Sequence, residues 1–249
     1  MCLIVVGWRV HPDFPLVVAA NRDEFYARPS AAAGRWPDDP RVLGGRDLEA
    51  GGTWLGMTES GRFAAVTNVR EPAMPKGARS RGELTKGFLQ GIESAGEYAA
   101  NIDDKAYSGF NLLVGDGETL WYASNRDGAT RALLPGVYGL SNHLLDTPWP
   151  KLVTARQRFA AALQSLPATE DFFAILADDQ IVPDEHLPQT GVALEWERRL
   201  SAIFVRSENY GTRASTVLTR DSGGTIRLEE RSFGPNGQPL QSSVISTGV

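Results

Sequence analysis

Cys2 is the sole cysteine in a sequence of 249 residues, and removal of Met1 would make it the N-terminal residue. One residue would then carry both a thiol nucleophile and a free α-amine to act as its base. A free α-amine has a pKa of about 7.7–8.0, so part of it is neutral near pH 7 and able to take the thiol proton. A second polar group, Asn21-Arg22-Asp23-Glu24, ends an apolar run, and further polar positions fall at Asn68, Ser141-Asn142-His143 and Arg213. A cation such as Arg22 beside a thiol favours the thiolate, and a carboxylate would orient the amine. The bland counterparts are a small buried cysteine and a solvated cluster of charges.

These groups need elements to bring them together. Residues 2–10 read as a strand, His11-Pro12-Asp13 as a turn, and Pro15–Ala20 as a second strand. Both runs are almost wholly apolar, the pattern of strands buried on both faces. Residues 30–42, rich in Ala, Pro and Asp, read as irregular. The segment Gly51–Met57 reads as a glycine-broken strand and Arg62–Thr67 as its return, ending at Asn68. Its glycines lack phosphate-loop spacing and no lysine follows, so they serve turns and close packing. From Ser80 the period turns helical, with Ser80/Glu83 and Ser94/Glu97 as capping boxes and Leu84, Phe88 and Ile92 on one face.

Strands resume at 110–115 and 119–123 around the turn Asp116-Gly117, and again at 137–142. Pro148 and Pro150 open a helix with Leu152, Phe159, Leu163 and Leu166 inward, and Thr169 caps another through Leu176. Residues 203–206, 215–219 and 225–231 read as closing strands, with a short strand at 244–245; 181–200 carries no clear pattern. Strands joined by hairpins, with helices in separate blocks, predict an α+β fold of mainly antiparallel sheets with helices packed outside.

The chain reads as one domain, 1–249. A net charge of −5 and a pI near 5.3 argue against a nucleic-acid partner. The three histidines, His11, His143 and His186, are scattered without metal-ligand spacing, so neither a metal nor a cofactor is expected. His143 reads as structural. The apolar start is too short for a signal peptide or a membrane span, and a cytoplasmic location is expected.

Asn21-Arg22-Asp23-Glu24 resembles the signature of the NRDE-domain family, also called the transport and Golgi organisation family. Met1-Cys2, Gly51–Gly56, Phe63–Asn68, Leu140–Lys151 and Tyr210–Arg213 leading into Ser215-Thr216-Val217 agree with it in order. The resemblance implies a likeness to N-terminal-nucleophile hydrolases and their four-layer αββα sandwich. It further implies an analogy to N-terminal-cysteine amidases of bile-salt conjugates, penicillin and fatty-acid amides. Carried over by motif, Cys2 is the nucleophile, Arg22 and Asp23 its partners, Asn142 an oxyanion donor and Arg213 a late-strand arginine. Asn68 is a second donor, and Asn21 and Glu24 meet the substrate.

The amidases separate the Arg and the Asp, whereas here they adjoin. Neighbours on an extended strand face opposite ways, so either the strand bends, or Asn21 and Asp23, or Arg22 and Glu24, face Cys2. The implied function is hydrolysis of an amide or thioester through an acyl-enzyme on a small-molecule substrate. The alternative from the same resemblance is a non-catalytic carrier of a lipid, haem or other hydrophobic ligand.

Overall fold

A computed structural model describes residues 2–74, 77–128 and 130–248. Met1, on whose removal the N-terminal-cysteine reading turns, lies outside the described residues, as do Val249 and part of the 70–80 loop. The strands begin with β1 (Cys2–Trp8), β2 (Leu16–Phe25), β3 (Ser30–Arg35), β4 (Val42–Asp47), β5 (Leu55–Thr58) and β6 (Phe63–Asn68). Helices α1 (Gly82–Gln90) and α2 (Ala95–Ala100) precede β7 (Phe110–Gly115), β8 (Leu120–Ser124), β9 (Arg131–Ala132) and β10 (Gly136–Leu140). Then come α3 (Pro150–Ala162), α4 (Glu170–Leu176) and α5 (Leu194–Leu200), followed by β11 (Tyr210–Arg220), β12 (Ile226–Phe233) and β13 (Pro239–Ser246).

Among the described residues the strands form two antiparallel sheets, ordered β10-β1-β2-β11-β12-β13 and β3-β4-β5-β6-β7-β8-β9. Residue alternation sorts their side chains into layers. Ile4, Val6, Val18 and Ala20 from the first sheet meet Leu55, Met57, Phe63 and Leu113 of the second. Leu3, Val5, Val17 and Ala19 turn outward onto Leu152, Phe159 and Phe172 of α3 and α4. On the far side Ala64, Val66, Leu112 and Val114 pack on Leu84, Phe88 and Leu89 of α1 and on Ala95 and Ala99 of α2. Helix, sheet, sheet and helix stack in that order, which is the expected αββα sandwich. β1, and β2 up to Ala20, are almost wholly apolar because both faces are covered.

Several expectations are corrected. β2 does not stop at Ala20 but continues to Phe25, so the 21–24 segment lies within a strand. The 30–42 segment holds β3 and the start of β4, built from small residues at the edge of the second sheet. Helix α1 ends at Gln90, leaving Ile92 outside it and 95% exposed. Thr169 makes no cap; its Oγ1 donates to Glu229 at 2.8 Å. Residues 203–206 are not a strand. Scattered partners, not a strand ladder, serve this stretch: the Asn21 amide donates to the Ile203 carbonyl at 2.9 Å, Phe204 N–H to the Asp178 carbonyl at 2.7 Å, and Thr212 N–H of β11 to the Val205 carbonyl at 2.9 Å.

Candidate active site

The β1–β2 ladder sets Cys2 directly opposite Arg22, and Leu3 opposite Asn21. Opposed residues in an antiparallel pair share a face. Arg22 therefore lies on the inter-sheet side with Cys2, while Asn21 and Asp23 turn toward the helices. That settles the orientation of the cluster by plain alternation, without a bend in β2 before Asp23. The irregularity falls on the partner strand, where β11 shifts register between Thr212 and Ala214, at Arg213.

Cys2 opens onto a cleft of about 440 Å³ whose walls include Arg22, Asp23, Glu24, Trp54 and Asn68. Arg28, Asp47, Arg79 and Arg81 complete much of its charged lining. The volume suits a small molecule, whose clefts span about 300–1,000 Å³. Arg22 is held between Glu24 and Asp47, each at 3.8 Å, with its guanidinium 4.3 Å from the Trp54 ring centre. Trp54 in turn lies over Gly45, where a Cβ would come within 2.1 Å of the indole.

Cys2 keeps some exposed surface, yet desolvation dominates its thiol and pushes the pKa up. Asp23 adds to that rise, while Arg22 opposes it without prevailing. Arg22 thus favours the thiolate, as expected of a cation beside a thiol, but burial outweighs it. Asp23 is 2% exposed and accepts from Thr212 Oγ1 at 2.7 Å. Burial raises its pKa, against the pull of Lys151 and Thr212. Lys151 is buried on α3 and donates to the carbonyls of Leu200 and Ala202 at 2.8 and 3.4 Å. Desolvation draws its pKa down to about 8, with Asp23 acting the other way.

Asn21 is spent on structure: its Nδ2 donates to the carbonyls of Leu176 and Ile203, and its Oδ1 accepts from Ser215 Oγ at 2.6 Å. Asn142 is fully buried and gives its Nδ2 to Oδ1 of Asn68 at 2.9 Å and to the Asn68 carbonyl at 3.1 Å. Asn68 lines the cleft, and its own Nδ2 makes one long contact, 3.5 Å to the Val69 carbonyl. The two predicted donors are thus brought together, with Asn68 toward the cleft and Asn142 behind it. Arg213 is not brought to Cys2. Its Nη1 donates to the carbonyls of Phe25 and Arg28, and it lines a neighbouring cavity of about 280 Å³ that shares Arg22 and Trp54 with the cleft.

Sequence reasoning missed Arg28, Asp47, Arg81 and Lys151. Lys151 lies within a segment carrying the family resemblance, and Trp54 within another, but the motifs assign neither to a site. Among the described residues no group of three or more His, Cys, Asp or Glu could hold a metal ion. None of the described helices is long and apolar enough to cross a membrane.

The two facing sheets between helical layers define a fold of the N-terminal-nucleophile hydrolase type. The conjugated bile acid hydrolase of Clostridium perfringens, solved as a mutant, is similar with a TM-score of 0.55 over 99% of this chain and 92% of that one. At 9% identity the likeness shows the fold alone. The chain belongs to the Transport and Golgi organisation 2 family, whose profile matches residues 1–235. It is 38% identical to the Transport and Golgi organization protein 2 homolog of Bos taurus, over 94% of this chain and 93% of that protein. The Homo sapiens homolog is 35% identical over the same shares.

Proposed function

We propose that the protein is an N-terminal-cysteine amidohydrolase that cleaves an amide or thioester through an acyl-enzyme at Cys2. The observation that carries this reading is the pairing of Cys2 with Arg22 at the floor of a charged cleft, with Asp23 the next residue along. Loss of Met1 would free the Cys2 amine beside the Asp23 carboxylate. Because burial holds the thiol up, the amine is the group that makes it reactive, first as a base and then as a neighbouring cation.

The neutral amine takes the thiol proton, and the thiolate sulfur bonds to the substrate carbonyl carbon. Asn68 Nδ2 donates to the oxyanion as it forms, with Asn142 fixing its orientation; one such donor is worth about 2.7–4 kcal/mol in the transition state. The tetrahedral adduct collapses, the C–N bond breaks, and the ammonium returns its proton to the leaving amine. Water, deprotonated by the same amine, then hydrolyses the thioester. Arg22 fixes the cleft-side charges around Cys2. The fold likeness to a bile acid hydrolase supports the same reading.

Incubation of the processed protein with p-nitrophenyl butyrate, quenched in acid and weighed intact, tests it. The expected result is a butyryl adduct that maps to Cys2 and is absent from Cys2→Ala. No adduct on a chain beginning at Cys2 would contradict the proposal and leave a binding role for the cleft.

A further inference from the structure

Of the arginines lining the Cys2 cleft, Arg22 is held by Glu24 and Asp47, Arg28 by Asp47 and Glu49, and Arg79 by Glu83. Arg81 differs. Among the described residues no carboxylate forms an ion pair with it. Its one hydrogen bond among them runs from Nη1 to the Gly109 carbonyl at 3.2 Å. The residue is partly buried at the start of α1, and withdrawal from water is the main influence on its guanidinium, lowering its pKa. A planar fork with one edge unused and open to the cleft matches a carboxylate in two-point geometry. Arg81 lines the same cleft as Cys2 and Glu24, so a ligand lying in it can meet both the guanidinium and the thiol.

Its position is built rather than accidental. Gly52 and Gly82 meet so closely that a Cβ on Gly52 would fall 2.3 Å from the Gly82 carbonyl oxygen. Thr85 Oγ1 adds a bond to the Thr53 carbonyl at 2.5 Å. These contacts clamp the first turn of α1, and Arg81 with it, to the segment ahead of β5 that carries Trp54.

We propose that Arg81 is the docking point for a carboxylate on the molecule bound in the Cys2 cleft, which therefore takes amides or thioesters bearing a free carboxylate close to the bond to be cut. The bond-cutting part rests on the reading of Cys2 as nucleophile; the carboxylate site does not. The carboxylate can belong to the leaving amine or to the acyl part, and the two placements call for different probes.

The test is equilibrium binding by calorimetry to the Cys2→Ala protein, which cannot turn substrate over. The probes are N-butyryl-alanine, with the carboxylate on the amine side, N-methylsuccinamic acid, with it on the acyl side, and the uncharged carboxamide of each. One acid should bind about tenfold or more tighter than its carboxamide, as hydrogen bonds to a charged partner provide. Arg81→Gln in the same background should abolish that preference, and Arg81→Lys should keep part of it. Thermal unfolding of each variant confirms that it is folded. Absence of a carboxylate preference for both pairs, or a preference that survives Arg81→Gln, overturns the proposal. Because binding is read without turnover, a failure of the hydrolase reading would leave this result intact, and the reverse also holds.

Discussion

At the scale of single residues, Thr212 shows how the candidate site offsets part of the cost of burying a carboxylate. Its hydroxyl donates to Asp23 and at the same time accepts from the Val205 amide at 2.9 Å. Thr212→Val takes one donor from Asp23 and leaves the Val205 amide without its acceptor, and should destabilise the fold by about 2–3 kcal/mol near neutral pH. Asp23 has a native pKa raised by burial, so its native form favours the proton. The stability it contributes is present at acid pH and is lost as pH rises through the native value. The hydroxyl is worth most to the ionised form, so the cost of Thr212→Val should shrink on acidification. Urea unfolding of both proteins at neutral and mildly acidic pH measures this; an equal cost at both would show that Asp23 does not change charge over that range.

At the scale of elements, the hinge of the account is the contact between α1 and the 52–54 segment. Gly52→Ala would set a methyl against the Gly82 backbone, where only 2.3 Å is free. The helix start must then move, with a stability loss of about 1–3 kcal/mol and a weakened carboxylate preference in the cleft. Thermal unfolding and the calorimetric titration check the two effects, and an unchanged midpoint would mean that the clamp is slack. This contact was half legible from the sequence: its glycines spoke for close packing, but not for which element they meet. The same holds for β2. Its apolar run announced a buried strand, yet the polar 21–24 segment read as the end of it. The strand persists because β1 and β11 bond it on both edges and because Asn21 is satisfied by carbonyls from Leu176 and Ile203. Partners more than 150 positions away leave no local mark.

At the scale of the whole molecule, the four layers follow from alternation in β1 and β2, and that part of the fold was readable. The charge network under Asp23 was not, because Lys151 and Arg70 reach it only when α3 and the loop after β6 fold over the first sheet. Its cost should appear in the pH dependence of global stability. The native pKa of Lys151 lies near 8, below its ordinary 10.5, so between these values the unfolded chain binds more protons than the native one. Stability then rises with pH: the penalty for burying the charge is full below about 8 and fades toward 10.5. Relative to Lys151→Met, the parent should gain roughly 3 kcal/mol across that window. Denaturant unfolding at a series of pH values would show it as a difference in slope; parallel curves would place the ammonium outside the buried network.

The central claim is that Cys2 becomes reactive when its own amine is free. The direct measurement is the rate of iodoacetamide alkylation against pH for two forms of the chain, one starting at Cys2 and one keeping Met1, each verified by intact mass. The account predicts rapid alkylation of the first form with an apparent thiol pKa below the ordinary value. It predicts slow alkylation of the second, whose thiol is held up by burial. Indistinguishable profiles for the two forms would contradict it.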